Sequence, residues 1–187
     1  EAAQALRESE EKFRTITEQM SDMVYLTDTQ GIISYVSPTA GRIFGFKPDE
    51  MQGRAFTEFL AETDIPKAAA AFTRDVAAGG PSEPLELQMK RKDGSVFTGE
   101  LNGTLYQKDG MAGTIGLIRD ITGRVRAEEV RQQAEQALRQ SEATLRSVFR
   151  AAPVGICIMQ NRVYQSASHF WCESFGYPEA SLLGQDT

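Results

Sequence analysis

Leu85-Glu86-Leu87-Gln88-Met89-Lys90, Asp93-Gly94, the run 96–106 and the run 113–121 decide the fold. In the first, Leu85, Leu87 and Met89 alternate with Glu86, Gln88 and Lys90, which predicts a strand with one buried and one wet face. Asp93-Gly94 predicts a tight turn into a long strand over 96–106. Lys108-Asp109-Gly110 turns the chain again, into a last strand over 113–121. Upstream, 23–27 and 32–36 are β-rich runs around Asp28-Thr29-Gln30-Gly31, a hairpin signal.

Between the hairpin and the last three strands the pattern is helical. Ser37-Pro38 predicts a helix start running to Gly45, because Ser caps and Pro fits the first turn. Pro48-Asp49-Glu50 opens a short turn of helix closed at Gly53. Asp64-Ile65-Pro66 opens a third helix, through 67–76, stopped by Gly79-Gly80-Pro81. The order predicts an α+β domain: a five-stranded antiparallel sheet with helices packed on one side.

The domain is flanked by helices that repeat one another. Gln4-Ala5-Leu6-Arg7-Glu8-Ser9-Glu10 recurs as Gln136-Ala137-Leu138-Arg139-Gln140-Ser141-Glu142. The echo runs on: Arg14 and Arg146, Ile16 and Val148, Ser37 and Ser168, Phe44-Gly45-Phe46 and Phe175-Gly176-Tyr177, Gly53 and Gly184. The offset shortens by one residue, which places a deletion between Asp28 and Ser37 in the second copy. A period of this length fits a small domain plus a linker. The expected organisation is an amphipathic helix over 1–19, a complete domain over 20–122, a linker helix over 123–151 and the front of a second domain over 152–187.

Leu6, Phe13 and Ile16 lie on a heptad seam in the first helix; Leu138, Leu145 and Val148 lie on its copy. Such seams predict a homodimer. Val130, Ala134 and Leu138 follow one another by successive fours, a stutter in the heptad. Pro is absent from the linker and Gly is absent after Gly123, as a stiff rod requires.

Composition bounds the function. A formal charge of −6 over 187 residues speaks against nucleic acid, which is met by a basic face. No run approaches the roughly 18 apolar residues of a membrane span, so no membrane contact is expected within the chain. Cys157 and Cys172 have no metal or disulfide spacing and suit a reducing cytosol. No metal site is expected. Gly113-Thr114-Ile115-Gly116 lies in a strand and lacks the Lys-Ser/Thr of a phosphate loop. His169 is the sole histidine and falls outside the intact domain, so no Ser/His/Asp set forms there. No catalytic residue is identified, and the chain is not expected to be an enzyme by itself.

The element order, with Asp28-x-x-Gly31, Gly45-Phe46-x-Pro48-x-Glu50-x-x-Gly53, Arg91-Lys92-Asp93-Gly94 and Arg119-Asp120-Ile121-Thr122, resembles the PAS domains of bacterial sensor proteins. The resemblance implies a cupped five-stranded sheet, a small-molecule pocket in some members, dimerisation and control of a downstream output domain of the same chain. That output would be a histidine kinase or a diguanylate cyclase in a cytoplasmic or membrane-tethered parent. Flavin photochemistry in the family uses a cysteine absent from 53–60, which excludes a photoactive flavin here. Haem-binding members supply a histidine absent from 64–78, which disfavours His-ligated haem. The cofactor expectation is therefore none, or an unidentified small molecule.

Phe97, Gly99, Leu101, Gly103 and Leu105 share the inward face of the long strand. Two glycines on an inward face leave room for a ligand, with Tyr25, Thr27 and Tyr35 adding polar groups and Phe72 a wall. The competing reading fills that room with Phe72 and neighbouring core residues. Asp120, Ile121 and Thr122 stand where the strand hands over to the linker helix, and are the candidate relay. Two functions follow: a sensory and signal-relay module, or a ligandless dimerisation and spacer module mediating protein–protein interaction.

Overall fold

The computed structural model describes residues 2–78, 83–108, 111–151, 153–178, 181 and 183–184. The expected stop at Gly79-Gly80-Pro81 and the turn residues Asp109-Gly110 lie outside them. The chain divides into two compact units, 1–126 and 127–187.

The first unit opens with α1 (Ala2–Gln19), followed by β1 (Met23–Asp28) and β2 (Ile33–Val36). Short helices α2 (Ala40–Ile43) and α3 (Pro48–Met51), a 3-10 turn at Phe56–Phe59 and α4 (Ile65–Ala78) come next. Strands β3 (Leu85–Lys90), β4 (Val96–Lys108) and β5 (Met111–Asp120) then lead into α5 (Thr122–Ala151). All strand pairs are antiparallel, in the order β2-β1-β5-β4-β3. The last strand therefore lies at the centre of the sheet, beside the first.

One face of this sheet is the core. Met23, Ile118, Leu101 and Leu85 form a row across β1, β5, β4 and β3, and Phe97 stands opposite Met89. Phe44 closes on them from the helical layer, edge-on to Phe97 at 5.0 Å and to Phe59 at 6.3 Å between centroids. Phe44, Met51, Met89 and Phe97 are all but inaccessible. Two cations cover the rim of this aromatic cluster, Arg91 over Phe97 at 4.2 Å and Arg54 over Phe59 at 4.7 Å.

Helix α1 attaches by its C-terminal end. The Thr39 hydroxyl donates to the carbonyls of Thr17 (3.2 Å) and Met20 (3.3 Å), and the Arg42 guanidinium donates to Met20 O at 2.5 Å. These contacts satisfy the carbonyls a helix leaves unpaired at its end.

The helix expected from Ser37 begins only at Ala40. The Ser37 hydroxyl is engaged by the sheet: it accepts from Val24 N at 3.0 Å, while Ser37 N donates to Val24 O at 2.9 Å. In the second unit Ser168 makes the same pair with Ile156, at 3.0 and 2.8 Å, and also accepts from Trp171 N to cap α6 (His169–Phe175). The repeat is thus carried in hydrogen bonding as well as in sequence. The hairpin of β6 (Cys157–Gln160) and β7 (Val163–Ala167) turns on Asn161 and Arg162, both at positive φ. Its turn is shorter than the Asp28–Ile32 loop, where the Asp28 carboxylate accepts from Gln30 N and Ile32 N.

Candidate functional site

The inner face of β1 and β5 encloses a cavity of about 70 Å³ between the sheet and α4. Tyr25, Gly116 and Gly103 lie side by side across β1, β5 and β4. A Cβ built on Gly103 would sit 2.6 Å from the Tyr25 hydroxyl oxygen, and one on Gly116 2.7 Å from it. The two glycines are a saddle on which the phenol rests, its hydroxyl reaching towards Asn102 O at 3.4 Å. In the next row Thr27 stands opposite Thr114, their hydroxyl oxygens 2.7 Å apart. Tyr25, Thr27, Thr104 and Thr114 are the hydroxyl-bearing residues of a lining that is mostly apolar, with Met23, Phe56, Phe72 and Leu87 among its walls. Asp75 of α4 and exposed Glu83 border it towards solvent. Burial pushes the Tyr25 hydroxyl's pKa up, and the Asp75 charge adds to this; its hydrogen bond with Thr114 acts the other way.

Of the residues expected to line a pocket, Tyr25, Thr27, Phe72, Leu101 and Gly103 do so; Tyr35 and Gly99 do not. Tyr35 is turned away by a bulge. Leu26 pairs with Tyr35 but Thr27 pairs with Ile33, so Ser34 is an extra residue and Tyr35 shares the outer face with Leu26. There its ring meets Phe13 of α1 at 5.7 Å. Gly99 makes room for protein, not ligand: a Cβ on it would lie 2.5 Å from the Met89 sulfur.

The junction of β5 with α5 forms a second cluster. Asp120 Oδ1 accepts from Thr122 N at 2.9 Å, and the Thr122 hydroxyl accepts from Thr98 N of β4 at 3.0 Å. Between them buried Ile121 donates its N–H to Thr98 O at 2.9 Å. Arg91 reaches Asp120 Oδ2 at 2.6 Å, while Arg119, on the other side of the strand, reaches Asp22. Arg124, in the first turn of α5, pairs with Glu100 at 2.8 Å and Glu86 at 3.2 Å. Burial raises the Asp120 pKa, but hydrogen bonds from Thr122 and Arg91 outweigh it and hold the carboxyl below the usual range. The root of α5 is hydrogen-bonded into β4 and, through Arg124, into β3, and both strands wall the cavity.

Phe13, Ile16, Leu138, Leu145 and Val148 are exposed, although Phe13 edges onto Tyr35. The side chain of Leu6 lies outside the described residues. Among the described residues no His, Cys, Asp and Glu cluster suited to a metal ion occurs, and no helix is long and apolar enough to cross a membrane.

The family profile described as PAS fold matches residues 11–121. Sporulation kinase C of Bacillus subtilis is 29% identical over 124 residues, which is 65% of this chain and 28% of that protein. The cell-division control histidine kinase PdhS of Brucella ovis is 28% identical over 149 residues, 75% of this chain and 14% of the kinase. The chain thus spans well under a third of the length of either relative. Among solved structures, the PAS domain of an HTR-like protein from Haloarcula marismortui superposes with a TM-score of 0.54 at 23% identity, covering 64% of this chain and 98% of that one. A five-stranded antiparallel sheet in PAS topology, matched by family profile and by solved domains, is common to all these observations: the chain belongs to the PAS family.

Proposed function

We propose that the first unit is a sensory and signal-relay module, which responds to a small molecule in its cavity and passes the change through α5 to an output domain of the same polypeptide. One observation carries this reading: β5 contributes Thr114 and Ile118 to the cavity, and α5 starts two residues after β5 ends. A shift of β5 on ligand binding is therefore a shift of the helix root, with Asp120, Ile121 and Thr122 as the connection. The output domain is a histidine kinase, in keeping with the homologous kinases, and the chain works in the cytoplasm as a homodimer through its exposed seams. Catalysis belongs to the output domain. A bound flavin or haem does not enter this mechanism, since the cavity is far smaller than the several hundred Å³ of a cofactor-sized pocket.

Native mass spectrometry of the full chain tests the reading. The expected spectrum carries a small non-covalent mass on the protein, lost on denaturation. A bare chain that also gains no thermal stability from any compound in a small-metabolite panel would replace sensing by the ligandless spacer role.

A further inference from the structure

The cavity has a chemical polarity that names its ligand class, given that it senses a small molecule at all. Most of its lining is apolar, and the Thr27 and Thr114 hydroxyls within it engage each other. Its outer end is acidic: Asp75, whose side chain is only 20% exposed, and Glu83 both border it. The described lining includes no Lys, Arg or His. Arg74 pairs with Asp75 at 3.2 Å but is itself 65% exposed and is not among the lining residues. Asp75 also lies in the last turn of α4, where the helix's unpaired carbonyls add negative potential. Finally, the rings of Phe56 and Phe72, packed on each other at 5.2 Å, both wall the cavity, and aromatic walls favour a cation over an anion.

We propose that the cavity binds a compact alkylammonium ion, with its apolar body against the sheet and its charged head at the Asp75 end. The hydroxyl of Tyr25 supplies an acceptor to the head, and the packed rings of Phe56 and Phe72 form part of the wall. Burying an ammonium group is unfavourable unless it is paired. Here the head remains near solvent while Asp75 provides the countercharge. A carboxylate of the same size would meet two like charges, with no cation in the described lining.

The test uses three probes with one apolar body: n-butylammonium, 1-butanol and butyrate, titrated into the full chain by calorimetry. The expected order is butylammonium tightest, by about tenfold or more over butanol, the usual worth of a charge-assisted contact. Butyrate should bind weakest. Asp75→Asn should remove the ammonium's advantage and leave butanol unaffected, whereas Ala71→Leu, which fills the cavity, should weaken both. Butyrate binding as tightly as butylammonium, an advantage that survives Asp75→Asn, or ammonium binding undiminished by Ala71→Leu overturns the proposal. Butanol binding without butylammonium, or none of the three binding while native mass spectrometry shows another retained molecule, overturns the ligand class and leaves the sensing reading standing. No binding and no retained molecule overturns both.

Discussion

Arg119 grips Asp22 with both ends of its guanidinium: Nε lies 3.0 and 3.1 Å from the two carboxylate oxygens, and a terminal nitrogen lies 2.6 Å from Oδ2. Asp22 sits just after α1, and Arg119 just before α5. The pair ties the exit of one flanking helix to the root of the other along the end of the sheet. Arg119 is 58% exposed, and solvent screening of its charge limits what the pair adds to global stability. Arg119→Gln should therefore leave the thermal midpoint nearly unchanged while amide exchange quickens at the C-terminal turn of α1 and the first turn of α5. Exchange that quickens evenly through the unit, with a lowered midpoint, would mean that the pair serves global stability instead.

Asp120 makes part of the stability pH-dependent. Its carboxyl is held below its ordinary range, so its contribution is complete above the unfolded-state value, about 3.9, and is lost as pH falls through the lower folded-state value. Asp120→Asn retains an oxygen to accept from Thr122 N but loses the charge facing Arg91. Urea unfolding should show wild type and variant converging as pH falls from about 5 to 2, with wild type the more stable at pH 7. A constant gap over that range would assign the effect to packing and not to the carboxylate.

The alternation of β3 and β4 and the turn chemistry between them made the sheet legible in the sequence, and Asp28, Pro48 and Gly53 marked the turns around the short helices. Tyr35 was not legible, because a period-two reading continues straight through Ser34, and nothing in Ile-Ser-Tyr-Val announces a bulge. Gly99 and Gly103 look identical as inward glycines; only the tertiary structure reveals that one accommodates Met89 and the other Tyr25. Thr114 was within reach, since it shares a face with Gly116 and Ile118, two and four residues on. Asp75 and the Arg119 to Asp22 pair depend on how separate elements meet, which local pattern does not encode.

The glycines give a ranked prediction. A Cβ on Gly116 would lie 2.0 Å from Asn102 O, a backbone atom that cannot move without the strand. On Gly103 the nearest atom is the Tyr25 hydroxyl oxygen at 2.6 Å, and on Gly99 it is the flexible Met89 sulfur at 2.5 Å. Overpacking a core costs about 1–3 kcal/mol. Gly116→Ala should sit at or beyond the top of that range, Gly103→Ala within it and Gly99→Ala lowest. Tyr25→Phe, which deletes the clashing oxygen, should recover a larger share of the Gly103→Ala loss than of the Gly116→Ala loss in the double variants, because at Gly116 the backbone contacts with Asn102 O and Gly103 Cα remain. Chemical denaturation of the five variants settles the order; equal costs at all three glycines would mean that strand twist, not the space above each residue, decides them.

The last prediction concerns assembly. Leu138 and Leu145 are 60% and 67% exposed on a helix whose other faces carry Glu–Arg pairs, among them Arg131 with Glu128 and Arg139 with Glu135. Those pairs stabilise the helix itself, so the leucines are not needed for helicity and are free to meet a second copy. Glu at both positions would set unpaired charge in that contact, at a cost of several kcal/mol if it is desolvated. The control is Gln136→Glu with Gln140→Glu, which adds the same charge roughly 200° around the helix from Ala134 and Leu138. Sedimentation should give a dimer for the native chain and for the control, and a monomer for Leu138→Glu with Leu145→Glu, with helical circular dichroism retained in the first turns beyond β5. A dimer in all three would place the contact elsewhere, on the outer face of the sheet or in the second unit, and α5 would then relay its motion as a single helix.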